Sequence, residues 1–324
     1  MERSDLLTST TDLQSSEPEI RIGLSRAGVR GVSKAIRLRR GPYEKLVSAE
    51  ISCSVDLDPT QRGVHMSRFA ELFEEAVDQV VIDEALLVEE LAEHIATAVA
   101  ARQHALRAEV EVTARYPIQR ETPVTRMRTQ EMVSLIGIAA ANGARVRRVV
   151  GVEATGINAC PCAQDLVRGR AAERLAAAGF GEDAERILEL VPLATHNQRG
   201  RGTLLVGTAQ NLDAEDLAGI VERSMSAPVY ELLKRPDELH VVEQAHRHPR
   251  FVEDSVRVAL EELLLTMPGL ADGDFVLSRQ RNLETIHDHD VVAERWGTVG
   301  EIRAELGGAA PPSEQTTLEA WLRA

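Results

Sequence analysis

Aromatic residues make up only 3% of this 324-residue chain. So sparse a set argues against the stacking platforms that hold single-stranded nucleic acid. Cysteine is scarce as well, at Cys53, Cys160 and Cys162. An odd, small number in a large chain argues against a disulfide framework and for a reducing cytoplasm. No uninterrupted apolar run approaches the length of a membrane span, and the polar, acidic residues 1–19 do not read as a signal peptide. Lysine occurs only at Lys34, Lys45 and Lys234, so arginine supplies nearly all of the 37 basic residues. These are outnumbered by 51 acidic residues, for a net charge of −14. That balance excludes the global positive field of a duplex-coating protein, and a small anion would need a local basic cluster. Also missing are a Walker P-loop, an H-E-x-x-H helix, a nucleophile elbow and a dinucleotide fingerprint.

What is present is ordinary globular chemistry, 44% hydrophobic and 27% charged, in a chain long enough for two moderate domains. Residues 1–18 read as a flexible tail and 306–324 as a second one. A short strand is expected within 28–40 and another at 43–55. Phe69, Leu72, Phe73, Ala76, Val77 and Val80 recur at helical spacing, and Leu87, Leu91, Ile95 and Ala98 repeat it. Strict alternation from Leu106 to Tyr116 marks a half-buried strand. A strand or helix–strand junction follows at about 127–140, closed by the turn signal Asn142-Gly143. The order strand, strand, helix, helix, strand, strand predicts an antiparallel sheet with both helices on one face, an α+β unit. The second half repeats that order loosely: a strand at 145–157, helices near 163–178 and 182–190, a strand at 203–208, a helix opened by Asp213, a long helix at 252–266 and a strand at 274–281. The expected units are 19–142 and 143–305.

Several segments carry chemistry. In Asn-Ala-Cys-Pro-Cys-Ala-Gln, 158–164, proline fixes the turn, so Cys160 and Cys162 need not share one metal; two small buried residues are the bland alternative. A four-cysteine zinc site is excluded, because only Cys53 remains. His196, in the Gly- and Arg-rich stretch 195–202, is a candidate nitrogen donor beside Arg199 and Arg201, candidate phosphate ligands; otherwise this is a surface loop. The mixed charges of 230–238 read by default as a solvated helix end, and Glu253 as a carboxylate favouring a helix N-terminus. Residues 282–290 form the densest ligand cluster. Strand alternation would place Glu284 and His287 on opposite faces, whereas a turn would bring them together. His65 and Ser67, in the polar turn before the first helix, read otherwise as caps.

Six motifs in collinear order, Gly-Val-His-Met-Ser-Arg at 63–68, Asn-Ala-Cys-Pro-Cys-Ala-Gln at 158–164, Thr-His-Asn-Gln-Arg-Gly at 195–200, Val-Tyr-Glu-Leu-Leu-Lys-Arg at 229–235, Phe-Val-Glu-Asp at 251–254 and Glu-Thr-Ile-His-Asp-His-Asp at 284–290, resemble GTP cyclohydrolase of type IB. The Cys-Pro-Cys form and the long insert before His196 are most similar to its archaeal-type branch. The resemblance implies two tandem tunnelling-fold units with antiparallel sheets, assembled as a homotetramer. It implies hydrolytic opening of the guanine imidazole ring of GTP by attack at C8, loss of formate, and closure to a 7,8-dihydroneopterin phosphate: the 2′,3′-cyclic phosphate in the archaeal-type branch, the triphosphate in the bacterial one. This would be the first step of pterin biosynthesis, leading to folate or tetrahydromethanopterin. It implies one divalent metal per subunit, Fe(II) first, with Zn(II) or Mn(II) as alternatives.

Position by position, the resemblance makes Cys160, His196, Glu238 and His287 metal ligands and assigns catalysis to Cys160, His196 and Glu284, with Glu284 near the metal water. Glu253 would anchor the base, since a carboxylate can accept from guanine N1–H and the 2-amino group together, a donor pair that adenine lacks. Arg199, Lys234, Arg235, His65 and Ser67 fall on the substrate side. A thiolate, imidazole and carboxylate set suits iron, zinc or manganese better than calcium or magnesium. A non-catalytic purine- or pterin-binding scaffold of the same fold is the competing expectation. A redox sensor built on Cys160 and Cys162 would leave the histidine and glutamate motifs unexplained. No nucleic-acid or membrane partner is expected.

Overall fold

The computed structural model describes residues 12–40, 43–79 and 88–324. Most of the expected tail 1–18, together with Val80 and Leu87, lies outside the described residues. The chain forms two compact units. The first comprises the described residues up to Ala114, with Gly137–Arg148; the second comprises Arg115–Ile136 and Val149–Leu322.

The first unit contains β1 (Leu24–Arg40), β2 (Tyr43–Leu57), α1 (Met66–Gln79) and α2 (Val88–Gln103), with the start of β3 (Arg107–Glu121) and the end of β4 (Arg128–Asn142). β1 and β3 flank β2 in antiparallel register, with Ile51 opposite Val112 and Cys53 opposite Val110. Alternation buries Ala49, Ile51, Cys53 and Val55 of β2 against Ala108, Val110 and Val112 of β3. Of the expected stripes, Phe69, Leu72, Phe73, Ala76, Leu91 and Ile95 are buried, whereas Val77 and Ala98 are half-buried and Val99 takes the place of Ala98 in the core, so period 2 and period 3.6 meet in one core. Burial, with a smaller push from Glu109, drives the Cys53 thiol up to about 12, leaving it a small core residue.

One core group is out of place. Glu89, in the first turn of α2, is 1% exposed, and neither of its carboxylate oxygens has a hydrogen-bond partner. Burial raises its pKa from 4.5 to about 7, despite attraction to Arg148 and with added repulsion from Glu90 and Glu93. An acid whose pKa is raised on folding destabilises the fold once ionised, so stability falls as pH rises from about 4.5 to 7. At ~1.36 kcal/mol per pKa unit the cost above neutrality is about 3 kcal/mol. Glu89→Gln is therefore expected to raise the melting temperature at pH 8 and leave it nearly unchanged at pH 4.5; equal shifts at both pH values would refute the assignment.

The second unit contains β5 (Arg145–Ala159, from Val149), α3 (Pro161–Ala177), α4 (Ala184–Leu190), β6 (Asn197–Gly207), α5 (Ala214–Ser224), β7 (Ala227–Pro228), α6 (Arg235–Arg247), α7 (Val252–Thr266), β8 (Phe275–Leu283), β9 (Val291–Thr298), α8 (Val299–Leu306) and α9 (Leu318–Arg323). Its strands pair antiparallel in the order β5-β6-β8-β9, and β7 pairs with β5. Asp213 opens α5 as expected, its carboxylate accepting from Glu215 N at 2.8 Å.

Several elements differ from the sequence expectation. β6 begins at Asn197, not near 203, because Gln198, Gly200 and Gly202 point inward where apolar residues were sought. α6 occupies the supposed solvated helix end. β9 and α8 follow the His-rich turn, and residues 306–324 include α9, whose Trp321 and Leu322 are buried. Among the described residues, no helix is long and apolar enough to cross a membrane.

Candidate metal and substrate site

The end of β5, the start of β6 and the end of β8 lie side by side. Ala159 is opposite Asn197, and Arg199 is opposite Leu283. The next residues outward are therefore Cys160, His196 and Glu284. Cys160 N donates to His196 O at 3.0 Å, and Thr195 Oγ1 donates to Cys160 O at 2.9 Å. Cys160 is also the N-cap of α3, where its sulfur accepts from Ala163 N at 3.5 Å and faces the positive end of the helix dipole. Pro161 suits the first helical position because it has no N–H to leave unpaired. Cys162 is exposed on the same turn.

The His196 ring is largely buried. Its Nδ1 lies 3.1 Å from Gln198 Oε1 and 3.7 Å from Glu284 Oε2. With its proton on Nδ1, donated to Gln198 Oε1, the ring would turn the Nε2 lone pair outward, the usual arrangement of a metal-binding histidine. Glu284 Oε2 is buried without a hydrogen-bond partner. Such an orphan acceptor costs stability unless a proton or a cation reaches it. Thiolate, imidazole and orphan carboxylate thus fit a transition metal chemically. Among the described residues, no group of three His, Cys, Asp or Glu side chains is close enough to hold one by itself.

The remaining expected residues are placed less tightly. Glu284 turns inward while His287 is exposed and stacks on His289 with ring centroids 5.2 Å apart. Glu238, in the first turn of α6, is exposed, as are Lys234 and Arg235 beside it. Arg199 and Arg201 point outward from β6. Glu253 is exposed in the first turn of α7, and the capping role belongs to its neighbour, since Phe251 N donates to Asp254 Oδ2 at 3.1 Å. His65 and Ser67 belong to the first unit, where His65 Nε2 lies 3.2 Å from Asp12 Oδ2 and Ser67 is exposed at the start of α1.

Sequence reasoning missed the residues that hold this arrangement. Asp237, adjacent to the expected ligand Glu238, is fully buried. It accepts from Val124 N and Thr125 N at 2.9 Å, from Thr125 Oγ1 at 2.6 Å and from Lys234 N at 3.1 Å. Burial alone would raise its pKa, but these bonds outweigh it and hold the carboxyl well below its usual range. Glu131 of β4 accepts from Glu231 N at 3.0 Å, so segment 229–238 is fastened at two points. Gln164 donates to Leu193 O at 2.8 Å and to His246 O at 2.6 Å, tying α3 to the approach to His196 and to the end of α6. Gln164 closes the motif 158–164, and that membership is the signal that pointed to it.

With this geometry in hand, comparison with known proteins is informative. The family model described as type I GTP cyclohydrolase folE2 matches residues 10–293. "GTP cyclohydrolase MptA" of Methanococcus aeolicus is 38% identical over 305 residues, covering 91% of this chain and 99% of that one. The protein of the same name from Methanothermobacter thermautotrophicus is 40% identical over 303 residues, covering 91% and 95%. The uricase of Arthrobacter globiformis superposes with a TM-score of 0.51 at 9% identity, covering 87% of this chain and 96% of that one. The last likeness concerns the fold alone, and it agrees with tandem tunnelling-fold units.

Proposed function

The chain belongs to the type I GTP cyclohydrolase family, and on that premise we propose that it opens the guanine imidazole ring of GTP and releases formate at the Cys160–His196–Glu284 cluster. The observation that carries this reading is that a thiol, an imidazole and an orphan buried carboxylate stand at the ends of three neighbouring strands. A divalent metal, Fe(II) first and Zn(II) or Mn(II) next, would supply a Lewis acid that brings water within reach of ionisation near neutral pH. Cys160 and His196 Nε2 would hold it, with Glu238 and His287 completing the set.

The chain's own groups do the rest. Glu284, whose Oε2 lies 3.7 Å from His196 Nδ1 and has no hydrogen-bond partner, would take and return a proton at the attacking water. Glu253, free of capping duty, accepts the N1–H and 2-amino donors of guanine. Arg199, Lys234 and Arg235 supply the positive charge that an anionic triphosphate demands of an otherwise acidic protein. From the resemblance of its motifs to the archaeal-type branch, the product is a 2′,3′-cyclic phosphate of dihydroneopterin and the reaction an entry into pterin biosynthesis. A homotetramer is the assembly we expect, and light scattering at assay concentration checks it.

Anaerobic incubation of the iron-loaded protein with GTP is the direct test. Release of formate with a pterin that fluoresces after oxidation is expected, and phosphate analysis separates the cyclic phosphate from the triphosphate. Loaded protein that leaves GTP intact would favour the non-catalytic purine-binding scaffold instead.

Glu253→Gln discriminates the base pocket. The amide turns one acceptor into a donor facing a donor edge, which costs about 1–3 kcal/mol. GTP affinity should fall about tenfold or more, with metal content unchanged. If Glu253 served only the helix dipole, the variant would lose ~0.3–1 kcal/mol of stability and bind GTP like the parent.

A further inference from the structure

Beneath the candidate site lies a cluster of polar side chains with almost no solvent access: Asn158 at 0%, Ser226, Ser255 and Gln280 at 1%, and Asn282 at 2%. Apolar residues would fill this space at less cost unless every polar atom is paired. Asn158 is fully paired. Its Nδ2 donates to Ser255 Oγ at 3.1 Å and to Asn282 Oδ1 at 3.0 Å, and its Oδ1 accepts from Ser226 N at 3.2 Å. A backbone N–H can only donate, so the atom facing Ser226 must be Oδ1, which fixes the amide's orientation. Asn282 Oδ1 also accepts from Gln280 Nε2 at 3.1 Å. Gly200, opposite Asn282, makes room for both amides, since a Cβ there would come within 2.4 Å of Gln280 Nε2 and 3.1 Å of Asn282 Oδ1.

Each arm of Asn158 ends on an element that carries part of the site. Asn158 itself is two residues before Cys160. Ser255 is two residues after Glu253, in the first turn of α7. Asn282 is two residues before Glu284, at the end of β8. We infer that Asn158 is a positioning residue that holds the base-binding end of α7 and the Glu284 end of β8 in register with Cys160. This rests on the reading above for what the site does, but not for the network itself. The physical reason is that a fully paired buried amide has one arrangement, whereas an apolar contact would let α7 and β8 slide by fractions of an ångström, and misplacement on that scale is costly to reactivity.

Cutting the two arms separately provides the test. Ser255→Ala removes the arm to α7 and Asn282→Ala the arm to β8. Three quantities are measured on the full chain: GTP affinity by calorimetry in chelator, the alkylation rate of Cys160 by peptide mass spectrometry, and turnover with ferrous iron. Ser255→Ala is expected to weaken GTP binding about tenfold and leave Cys160 alkylation within about twofold. Asn282→Ala should do the reverse, leaving affinity within about twofold while changing the alkylation rate and lowering kcat about tenfold. Asn158→Asp, which sets an oxygen against Asn282 Oδ1, should disturb both. If both single-arm variants lose affinity and kcat together, in proportion to their fall in melting temperature, the network is only a structural fastening and the inference is overturned. A parent protein that forms no formate from GTP would defeat the activity reading, while the alkylation contrast between the two arms would still decide the positioning role.

Discussion

Cys160→Ala is expected to abolish retained iron and to reduce GTP turnover by more than the ~10–100-fold that follows loss of an outer-shell partner of a metal site. The thiol is the one soft donor beside an imidazole and carboxylates, so it should dominate selectivity for iron or zinc. The fold should survive, because the backbone bonds that place Cys160 run through its N–H and C=O, to His196 O and from Thr195 Oγ1. Cys162→Ala, one residue past Pro161 and exposed, should retain both metal and turnover. Metal analysis of the two purified variants beside their melting curves decides the matter. Full iron occupancy and normal turnover in Cys160→Ala would remove Cys160 from the ligand set and shift that role to Cys162.

The second large effect belongs to the far end of β6. Trp321 of α9 is 7% exposed, its ring centroid is 6.0 Å from that of Phe275, and its Nε1 donates to Gly273 O at 2.8 Å. Its benzo ring lies against Gly207, where a Cβ would approach the indole to 2.7 Å. Trp321→Ala should cost about 3–5 kcal/mol, a fall in melting temperature of roughly 10 °C. Gly207→Ala should destabilise through the same contact by pushing the ring away. Turnover per folded molecule should be unchanged, since β6 runs from Asn197 to Gly207 and at ~3.3 Å per residue separates this contact from the site by about 33 Å. A melting temperature within a degree of the parent's would mean that α9 does not rest on β6 in solution.

The two halves of the molecule were unequally legible. In the first unit, alternation in β3 and the stripes of α1 and α2 were readable because burial there is apolar, and apolar periodicity is what a sequence displays. β6 was shortened in the expectation for the opposite reason. Its inward positions are Gln198, Gly200 and Gly202, which serve a polar network and close packing. α6 was hidden among charges because Asp237 looks solvated in sequence and is buried by four hydrogen bonds from partners more than a hundred residues away in three cases.

By itself, the sequence determined the α+β class and the family, and it put forward the candidate site residues, because residue type, spacing and collinear order are local properties of a chain. Tertiary structure alone decided which of them share one end of the sheet. Strand register brings Cys160, His196 and Glu284 to adjacent strand ends, whereas Glu238, Glu253 and His287 stay exposed. It also decided that Asp254 rather than Glu253 caps α7, and that Asn158 joins three elements beneath the site. The physical reason is common to all of these. Hydrogen-bond partnership and burial of a polar group depend on atoms distant in the chain, and no local pattern records them.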